Sequence, residues 1–182
     1  MNNIGAQESL GRCLTELESI KSLLDGLGDS ARPSPYLKKY SVIRASGSIE
    51  SAFKTIIADK VDDGSHHQLK NFIKRKIRNS SSNPRYDVIV TMLFEFDIRW
   101  KKRFKEKVSL ADRPRLTEAL KRLVDARNSF AHGGDPDLGI DDTIACFRDG
   151  IEVMKLLDEV VHEVYEDAGD DEDEDEGEDS ST

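Results

Sequence analysis

The sequence predicts an all-α protein, a bundle of about five to six helices followed by a disordered acidic tail. Apolar residues recur every three or four positions along most of the chain, which is the period of an amphipathic helix. Clusters of Gly, Pro, Ser and Asn separate these stretches. The last residues contain no apolar segment to bury. We therefore expect an N-terminal helix with a Gly/Pro linker (1–35), a helical domain (36–165) and a disordered tail (166–182).

The first helix is predicted over residues 6–26. Its apolar side chains keep the helical spacing, and they are Leu10, Leu14, Leu17, Ile20, Leu24 and Leu27. The segment "GLGDSARPSP" (26–35) then contains two glycines and two prolines, which interrupt a helix. This segment is either a simple loop or a hinge that lets the first helix dock elsewhere.

Two helices are predicted next, over residues 36–61 and 66–79. The first of them has one apolar stripe formed by Val42, Ser46, Ile49, Phe53 and Ile56. The small residues Ser46 and Gly47 would let another helix approach closely, and Glu50 lies beside the stripe. In the second, the side chains expected to face inward are Leu69, Phe72, Ile73 and Ile77.

A fourth helix is predicted to start at Pro84, with Asn83 as its N-cap. Its apolar face runs without a break through Ile89, Met92, Leu93, Phe96, Trp100 and Phe104. The segment "RWKKRFKEK" (99–107) contains six basic residues, which suits the C-terminal end of a helix. The β-branched run "DVIVT" (87–91) leaves a short strand as an alternative, although the helical period continues after it.

The last two helices are predicted over residues 114–131 and from Asp141 or Asp142, either of which can act as the N-cap. Gly133 and Gly134 should end the first of them, because glycine accepts the left-handed conformation common at helix ends. Its inward side chains are Leu116, Leu120, Leu123 and Val124. The final helix continues through Ile144, Phe147, Ile151, Met154, Leu157, Val161 and Val164.

The net charge of −9 hides a strong separation of charge along the chain. Residues 166–179 contain eleven acidic residues and no basic one, so the rest of the chain is close to neutral. Residues 70–127 contain seventeen Lys or Arg against seven Asp or Glu. A basic surface attracts polyanions, above all nucleic acid. The alternative is that these charges are only the solvated faces of helices.

Several classes of protein are excluded by composition. No stretch approaches 18 apolar residues, so we expect no membrane span, and the N-terminus lacks the pattern of a signal peptide. Cys13 and Cys146 are too few for a disulfide framework. His66 and His67 have no Cys or acidic cluster around them, so we predict no metal site and no cofactor. These features favour a reduced, cytoplasmic protein.

The segment "ARNSFAHGG" (126–134) is the strongest candidate for a functional site. A histidine that exchanges protons near neutral pH, a guanidinium that forks onto phosphate oxygens and an amide donor would suit phosphate chemistry. Arg127 and His132 point about 140° apart on an ideal helix, so they meet only if the helix frays at its end. The alternative is that both residues merely cap the helix.

The segment "RNSFAHG" resembles the R-x4-H motif of HEPN domains. Two further segments resemble the RiboL-PSP-type branch of that superfamily. One is "YSVIRASGSIESAFKTII" (40–57), with an aromatic start, small residues and an acidic residue, and the other is the Trp-bearing "MLFEFDIRWKKRF" (92–104). The three segments follow the order of that branch, and the resemblance covers residues 36–165. Toxin-type HEPN proteins often carry a tyrosine two residues after the histidine, where this chain has Gly134, which argues against that subgroup.

The resemblance implies a HEPN-like helical bundle that pairs as a homodimer and acts as a metal-independent endoribonuclease. Arg127 and His132 of both subunits would line one cleft. His132 would assist attack of a ribose 2′-hydroxyl, Arg127 would stabilise phosphate charge and Asn128 would orient either group. The products would carry 2′,3′-cyclic phosphate and 5′-hydroxyl ends. Glu50 is a fourth catalytic candidate that could pair with Arg127 or His132, or could simply face solvent.

Two functions remain open, a ribonuclease and a non-catalytic HEPN dimerisation module that acts as an accessory subunit. For the ribonuclease, we expect the RNA backbone to contact Lys70, Lys74, Arg75, Lys76, Arg78, Lys101, Lys102, Arg103 and Lys105. Phe72, Phe96, Trp100 and Phe104 fit core packing better than base stacking. A cognate antitoxin or sensor protein is a further expected partner, in toxin–antitoxin regulation or antiviral defence. The acidic tail could compete with RNA for the basic middle, or serve only solubility.

Overall fold

The computed structural model describes residues 1–28, 31–80, 83–134 and 138–165, and these residues form helices joined by short connections. The prediction of an all-α protein is confirmed, and the described residues contain no strand. The predicted acidic tail (166–182) lies outside the described residues. The helices are α1 (Ile4–Leu27), α2 (Ser34–Asp62), α3 (His67–Ile73) with a π-helical turn (Lys74–Arg78), α4 (Tyr86–Phe96), α5 (Ile98–Ala111), α6 (Arg113–Ala131) and α7 (Ile140–His162).

The core forms where α2 packs against α7, with α1 and α6 on their flanks. The apolar stripe predicted for α2 is buried, including Ile49 and Phe53 with no exposed surface. A Cβ atom added at Gly150 of α7 would lie 2.8 Å from Cδ1 of Ile49, so the missing side chain lets α2 and α7 approach closely. Of the two small residues predicted to allow a close approach, Ser46 is buried, whereas Gly47 is exposed and has no neighbour within 4 Å of an added Cβ, so the prediction is wrong for Gly47.

Helix α1 belongs to the same core as α2 and α7. Leu10, Cys13 and Leu17 are buried, and the Asn3 side chain caps the helix by accepting from the Ala6 N–H. The fully buried carboxylate of Asp158 on α7 accepts the backbone N–H groups of Asn2 and Asn3. The first helix is therefore docked on the bundle at both its apolar face and its N-terminal end.

The inward side chains predicted for the third helix are half right. Ile73 and Ile77 are buried, whereas Leu69 and Phe72 are 43% and 56% exposed. The reason is local geometry. Helix α3 has only seven residues and packs mainly against α2, so it buries Ile73 alone, and Ile77 is buried from the π-helical turn that follows.

The single long helix predicted from residue 84 onward is in fact two helices, which explains why the structure has seven α-helices among its described residues. Asp97 interrupts the helix because its backbone is extended (φ −161°, ψ 120°). Its carboxylate caps α5 by accepting a hydrogen bond from the Arg99 N–H at 2.8 Å. The basic run 99–107 therefore lies in the first turns of α5 and not at a helix C-terminus. The segment 87–91 is helical, and α4 begins at Tyr86 without a cap from Asn83.

The end of α6 follows the prediction, and the start of α7 does not. His132 is the C-cap of α6, and Gly133 follows with a positive φ of 81°. The N-cap of α7 is Gly139 rather than an aspartate, and Asp141 and Asp142 lie in its first turn. Val164 lies beyond the end of α7 and is 95% exposed.

Two further predictions can be compared with the described residues. Cys13 and Cys146 are buried free thiols, and burial raises the pKa of each thiol. Within the ranges described, no helix has both the length and the apolar character needed to cross a membrane.

Candidate functional site

The guanidinium of Arg127 is held by two side chains from outside its own helix. Its Nη1 atom donates to Oε2 of Glu50 at 3.1 Å and to Oδ1 of Asn83 at 3.0 Å. Arg127 lies near the end of α6, Glu50 is at the middle of α2, and Asn83 precedes α4. The Arg127 side chain keeps 35% of its surface exposed, whereas Glu50 keeps 13%. The fold therefore orients an arginine that solvent can still reach.

Glu50 also binds a second cation on its own helix. Its Oε1 atom accepts from Nζ of Lys54 at 2.5 Å, and the same ammonium donates to the Ser80 carbonyl oxygen. Lys54 is 8% exposed, so most of its side chain is buried. One carboxylate thus lies between two cations, and the group carries a net positive charge that suits an anionic ligand.

Lys54 and Asn83 are the members of this group that sequence reasoning missed. Glu50 and Lys54 are four residues apart on a helix, and this spacing could have identified their ion pair from the sequence. Asn83 was expected to cap the fourth helix, and its side chain accepts from Arg127 instead. No sequence signal joins a loop asparagine to an arginine 44 residues later.

A polar cleft of about 430 Å³ adjoins this group. It is lined by Gly47, Glu50, Ser51, Lys54, Thr55 and Arg78. Arg78, which was expected to contact RNA, forms ion pairs with Asp59 at 2.7 Å and Asp62 at 2.9 Å. Glu50 and Lys54 therefore belong both to the Arg127 cluster and to the wall of an open cleft.

His132 lies at the end of α6 but apart from the Arg127 cluster. Its backbone N–H donates to the carbonyl oxygens of Asn128 at 3.1 Å and Ser129 at 3.2 Å. The residue is exposed, and no hydrogen bond joins its imidazole to another described residue. Asn128 is half-buried in the last turn. Among the candidate residues, the described fold joins Arg127 to Glu50 and leaves His132 open to solvent.

The two glycines after His132 shape the end of the helix. Gly133 adopts a left-handed backbone, and the Gly134 N–H donates to the Ser129 carbonyl oxygen at 2.9 Å. A Cβ atom at position 134 would lie 2.6 Å from Oγ of Ser129. A side chain at the position of the toxin-type tyrosine would therefore displace the Ser129 hydroxyl.

The predicted RNA-binding residues divide into exposed and paired groups. Lys70, Lys74, Arg75 and Lys76 are exposed on α3 and the π-helical turn. Lys102 and Arg103 are exposed on α5, and Lys101 and Lys105 are half-buried. Arg103 forms ion pairs with Glu106 and Glu163. Within the described part of the chain, no group of His, Cys, Asp and Glu could hold a metal ion.

Comparison with known proteins identifies one family. The RiboL-PSP-HEPN family model matches residues 8–163, a range that begins within α1 and ends just after α7. No curated protein and no solved structure matches the chain. The matched range includes most of the first helix, which was assigned to an N-terminal segment (1–35) before the helical domain, and it contains Glu50, Arg127 and His132.

Proposed function

Because this chain belongs to the RiboL-PSP-HEPN family, we propose that it is a metal-independent endoribonuclease with Arg127, Asn128 and His132 at its site. Family membership by itself supports a nuclease-like or an interaction module. The observation that favours the nuclease is the geometry of Arg127. Both of its hydrogen bonds use Nη1, so Nε and Nη2 have no partner among the described residues. Those N–H groups can fork onto two phosphate oxygens.

The proposed reaction needs only a proton acceptor and a cation. The ribose 2′-oxygen attacks the neighbouring phosphorus, the 2′ O–P bond forms and the 5′ O–P bond breaks. His132 accepts the 2′-hydroxyl proton and returns a proton, directly or through a water molecule, to the departing 5′-oxygen. Arg127 stabilises the negative charge that builds on the phosphate oxygens. The products carry 2′,3′-cyclic phosphate and 5′-hydroxyl ends, and Asn128 orients the phosphate or the imidazole.

A homodimer would complete this site. HEPN domains often dimerise and bind RNA. In one chain no hydrogen bond or ion pair joins His132 to Arg127 in the described fold, and their helix positions diverge by about 140°. Two copies that meet near the ends of their α6 helices would place two arginines and two histidines around one phosphate. We propose this arrangement for the active enzyme, with Glu50 and Lys54 positioning Arg127.

A non-catalytic interaction module is the second candidate, and one observation favours it. The Arg127, Glu50 and Lys54 side chains form a network with low exposure at its centre, which is also typical of a structural contact. In that case Arg127 and His132 would affect stability or dimerisation and not chemistry.

Cleavage of mixed cellular RNA in the presence of EDTA tests the proposed function. We expect RNA fragments with 2′,3′-cyclic phosphate ends, and no cleavage of single-stranded DNA, which lacks the attacking hydroxyl. A requirement for a divalent metal, or cleavage of DNA, would contradict the mechanism. Stable dimers that leave RNA intact would favour the interaction module.

A further inference from the structure

Helix α5 has two basic flanks, and the two have different partners. Successive residues of a helix are separated by about 100°, so Arg103 and Lys107 lie on one flank of the buried side chain Phe104. This flank faces α7, where Arg103 pairs with Glu163 and Lys107 pairs with both Glu159 and Glu163. These two cations are therefore used within the fold.

The opposite flank carries Ile98, Lys101 and Lys105, with Lys102 further toward solvent. None of these three lysines forms an ion pair with a described residue, in contrast to Arg103 and Lys107. Ile98 is 37% exposed, which places apolar surface at the N-terminal end of this flank.

An exposed aromatic ring adjoins this flank. Phe94, near the end of α4, is 48% exposed, and Nζ of Lys101 lies 4.4 Å from the centroid of its ring. The break at Asp97 ends α4 shortly after Phe94 and starts α5 shortly before Lys101. Phe94, Ile98, Lys101, Lys102 and Lys105 together form a surface that we call the basic–aromatic flank.

We propose that the basic–aromatic flank binds unpaired bases of single-stranded RNA, and this inference rests on the proposed ribonuclease function. An exposed aromatic ring stacks on any base, and neighbouring lysines contact the phosphates on either side. In a duplex the bases are stacked on one another, so no base face is free to stack on the Phe94 ring. The flank thus directs the enzyme toward loops and single strands. Arg103 lies on the other flank of α5 and is already paired, so it is not among these RNA contacts.

Binding of non-cleavable oligonucleotides by the full-length chain tests this inference apart from catalysis. The probes are an unstructured 2′-O-methyl RNA strand, an abasic strand with the same number of phosphates, and a 2′-O-methyl duplex. We expect the strand with bases to bind at least about fivefold more tightly than the abasic strand. Phe94→Ala should remove that difference without changing abasic binding, and Phe94→Trp should retain it.

Two control variants on α5 test whether the effect on binding is specific to the basic–aromatic flank. Leu110→Ala removes an exposed apolar side chain from α5, and Lys107→Gln removes a lysine of α5 that is already paired with Glu159 and Glu163. Neither should change binding. Replacing Lys101, Lys102 and Lys105 by Gln should lower the slope of log affinity against log salt by about 0.7 for each phosphate that these lysines neutralise.

Three results would overturn the inference. The first is equal affinity for the strand with bases and the abasic strand. The second is a preference for bases that Phe94→Ala leaves unchanged. The third is loss of the dimer in Phe94→Ala, which would make the flank a protein interface. Failure of the proposed function is distinguishable, because the probes cannot be cleaved. A chain that binds bases through Phe94 but leaves natural RNA intact keeps the inference and loses the ribonuclease.

Discussion

At the residue scale, Glu50 is the group that connects the interior to the candidate site. Its two oxygens accept from Lys54 and Arg127, and its side chain is only 13% exposed. Lys54 depends on this carboxylate, because its side chain is only 10% exposed and its other partner, the Ser80 carbonyl oxygen, carries no full charge. Arg127 depends on it less, since its side chain remains 35% exposed.

This asymmetry predicts different effects on stability from the two sides of the pair. Glu50→Ala should lower the free energy of unfolding by about 3 kcal/mol, because it leaves the buried Lys54 charge uncompensated. Arg127→Ala should cost less than about 1 kcal/mol, because Glu50 keeps its bond to Lys54. Urea denaturation measures both changes. The double variant Glu50→Ala with Lys54→Met should recover much of the stability, and equal effects of the two single variants would contradict this explanation.

The candidate site was partly visible in the sequence. Glu50 and Arg127 could be singled out by residue type and by their place in the family pattern, and a pair between them was one of the open alternatives. The contributions of Lys54 and Asn83 could not be found in the same way. Lys54 contacts the Ser80 carbonyl oxygen, and Asn83 contacts Arg127 on α6. Both contacts join parts of the chain that only the tertiary fold brings together.

At the element scale, the break between α4 and α5 is the feature that sequence reasoning could not predict. Apolar residues keep a helical spacing on both sides of Asp97, so the period alone describes one long helix. Elsewhere in the chain, helix boundaries were predictable within a few residues, because Gly133 and the segment before α2 carry strong turn signals. One aspartate in a charged segment carries no such signal.

The cap at this break predicts a pH-dependent contribution to stability. Hydrogen bonds from Arg99 lower the pKa of the Asp97 carboxyl below its ordinary value. A carboxyl whose pKa is lower in the folded state stabilises the fold above its unfolded pKa, near 4, and loses that effect as pH falls through the folded pKa. Asp97→Ala should therefore cost about 1 kcal/mol at pH 7.

Urea denaturation of both chains between pH 7 and pH 3 measures this contribution. The difference in free energy of unfolding between the wild-type chain and Asp97→Ala should shrink as the pH falls below about 4. Asp97→Asn is the matched control, since asparagine is an equally good N-cap, and it should lose only the charge-dependent part. A difference that stays constant over the whole range would show that the carboxylate charge has no role in the cap.

At the scale of the whole molecule, the separation of charge along the chain suggests the hypothesis that the acidic tail inhibits RNA binding. Residues 166–179 carry eleven acidic residues, and the basic clusters of α3 and α5 lie in the body. A run of carboxylates presents the same kind of charge as an RNA backbone, so it should compete with RNA for these clusters. The position of the tail lies outside the described residues, and this hypothesis rests on charge alone.

A chain that ends at Tyr165 should bind and cleave RNA several-fold better than the full chain at low salt, with a smaller difference at high salt. Binding to a labelled RNA at two salt concentrations measures the effect. A full-length chain in which Ser and Gly replace the acidic residues of the tail is the control for length, and it should behave like the truncated chain. Equal binding and cleavage by the full and truncated chains at low salt would show that the tail does not inhibit.

Arg127 and His132 are proposed to perform chemistry rather than support the fold, and the cleavage rates and stabilities of variants separate these two roles. Cleavage rates of RNA in EDTA are measured for the wild-type chain, Arg127→Ala, His132→Ala and two surface controls, Arg148→Ala and His67→Ala. We predict that the first two variants fall at least about 100-fold in rate and keep their dimer mass, that His132→Ala keeps its urea midpoint and Arg127→Ala loses less than about 1 kcal/mol of stability, and that the controls keep full activity. Cleavage retained in both site variants, or abolished only together with stability or dimer mass, would contradict the claim.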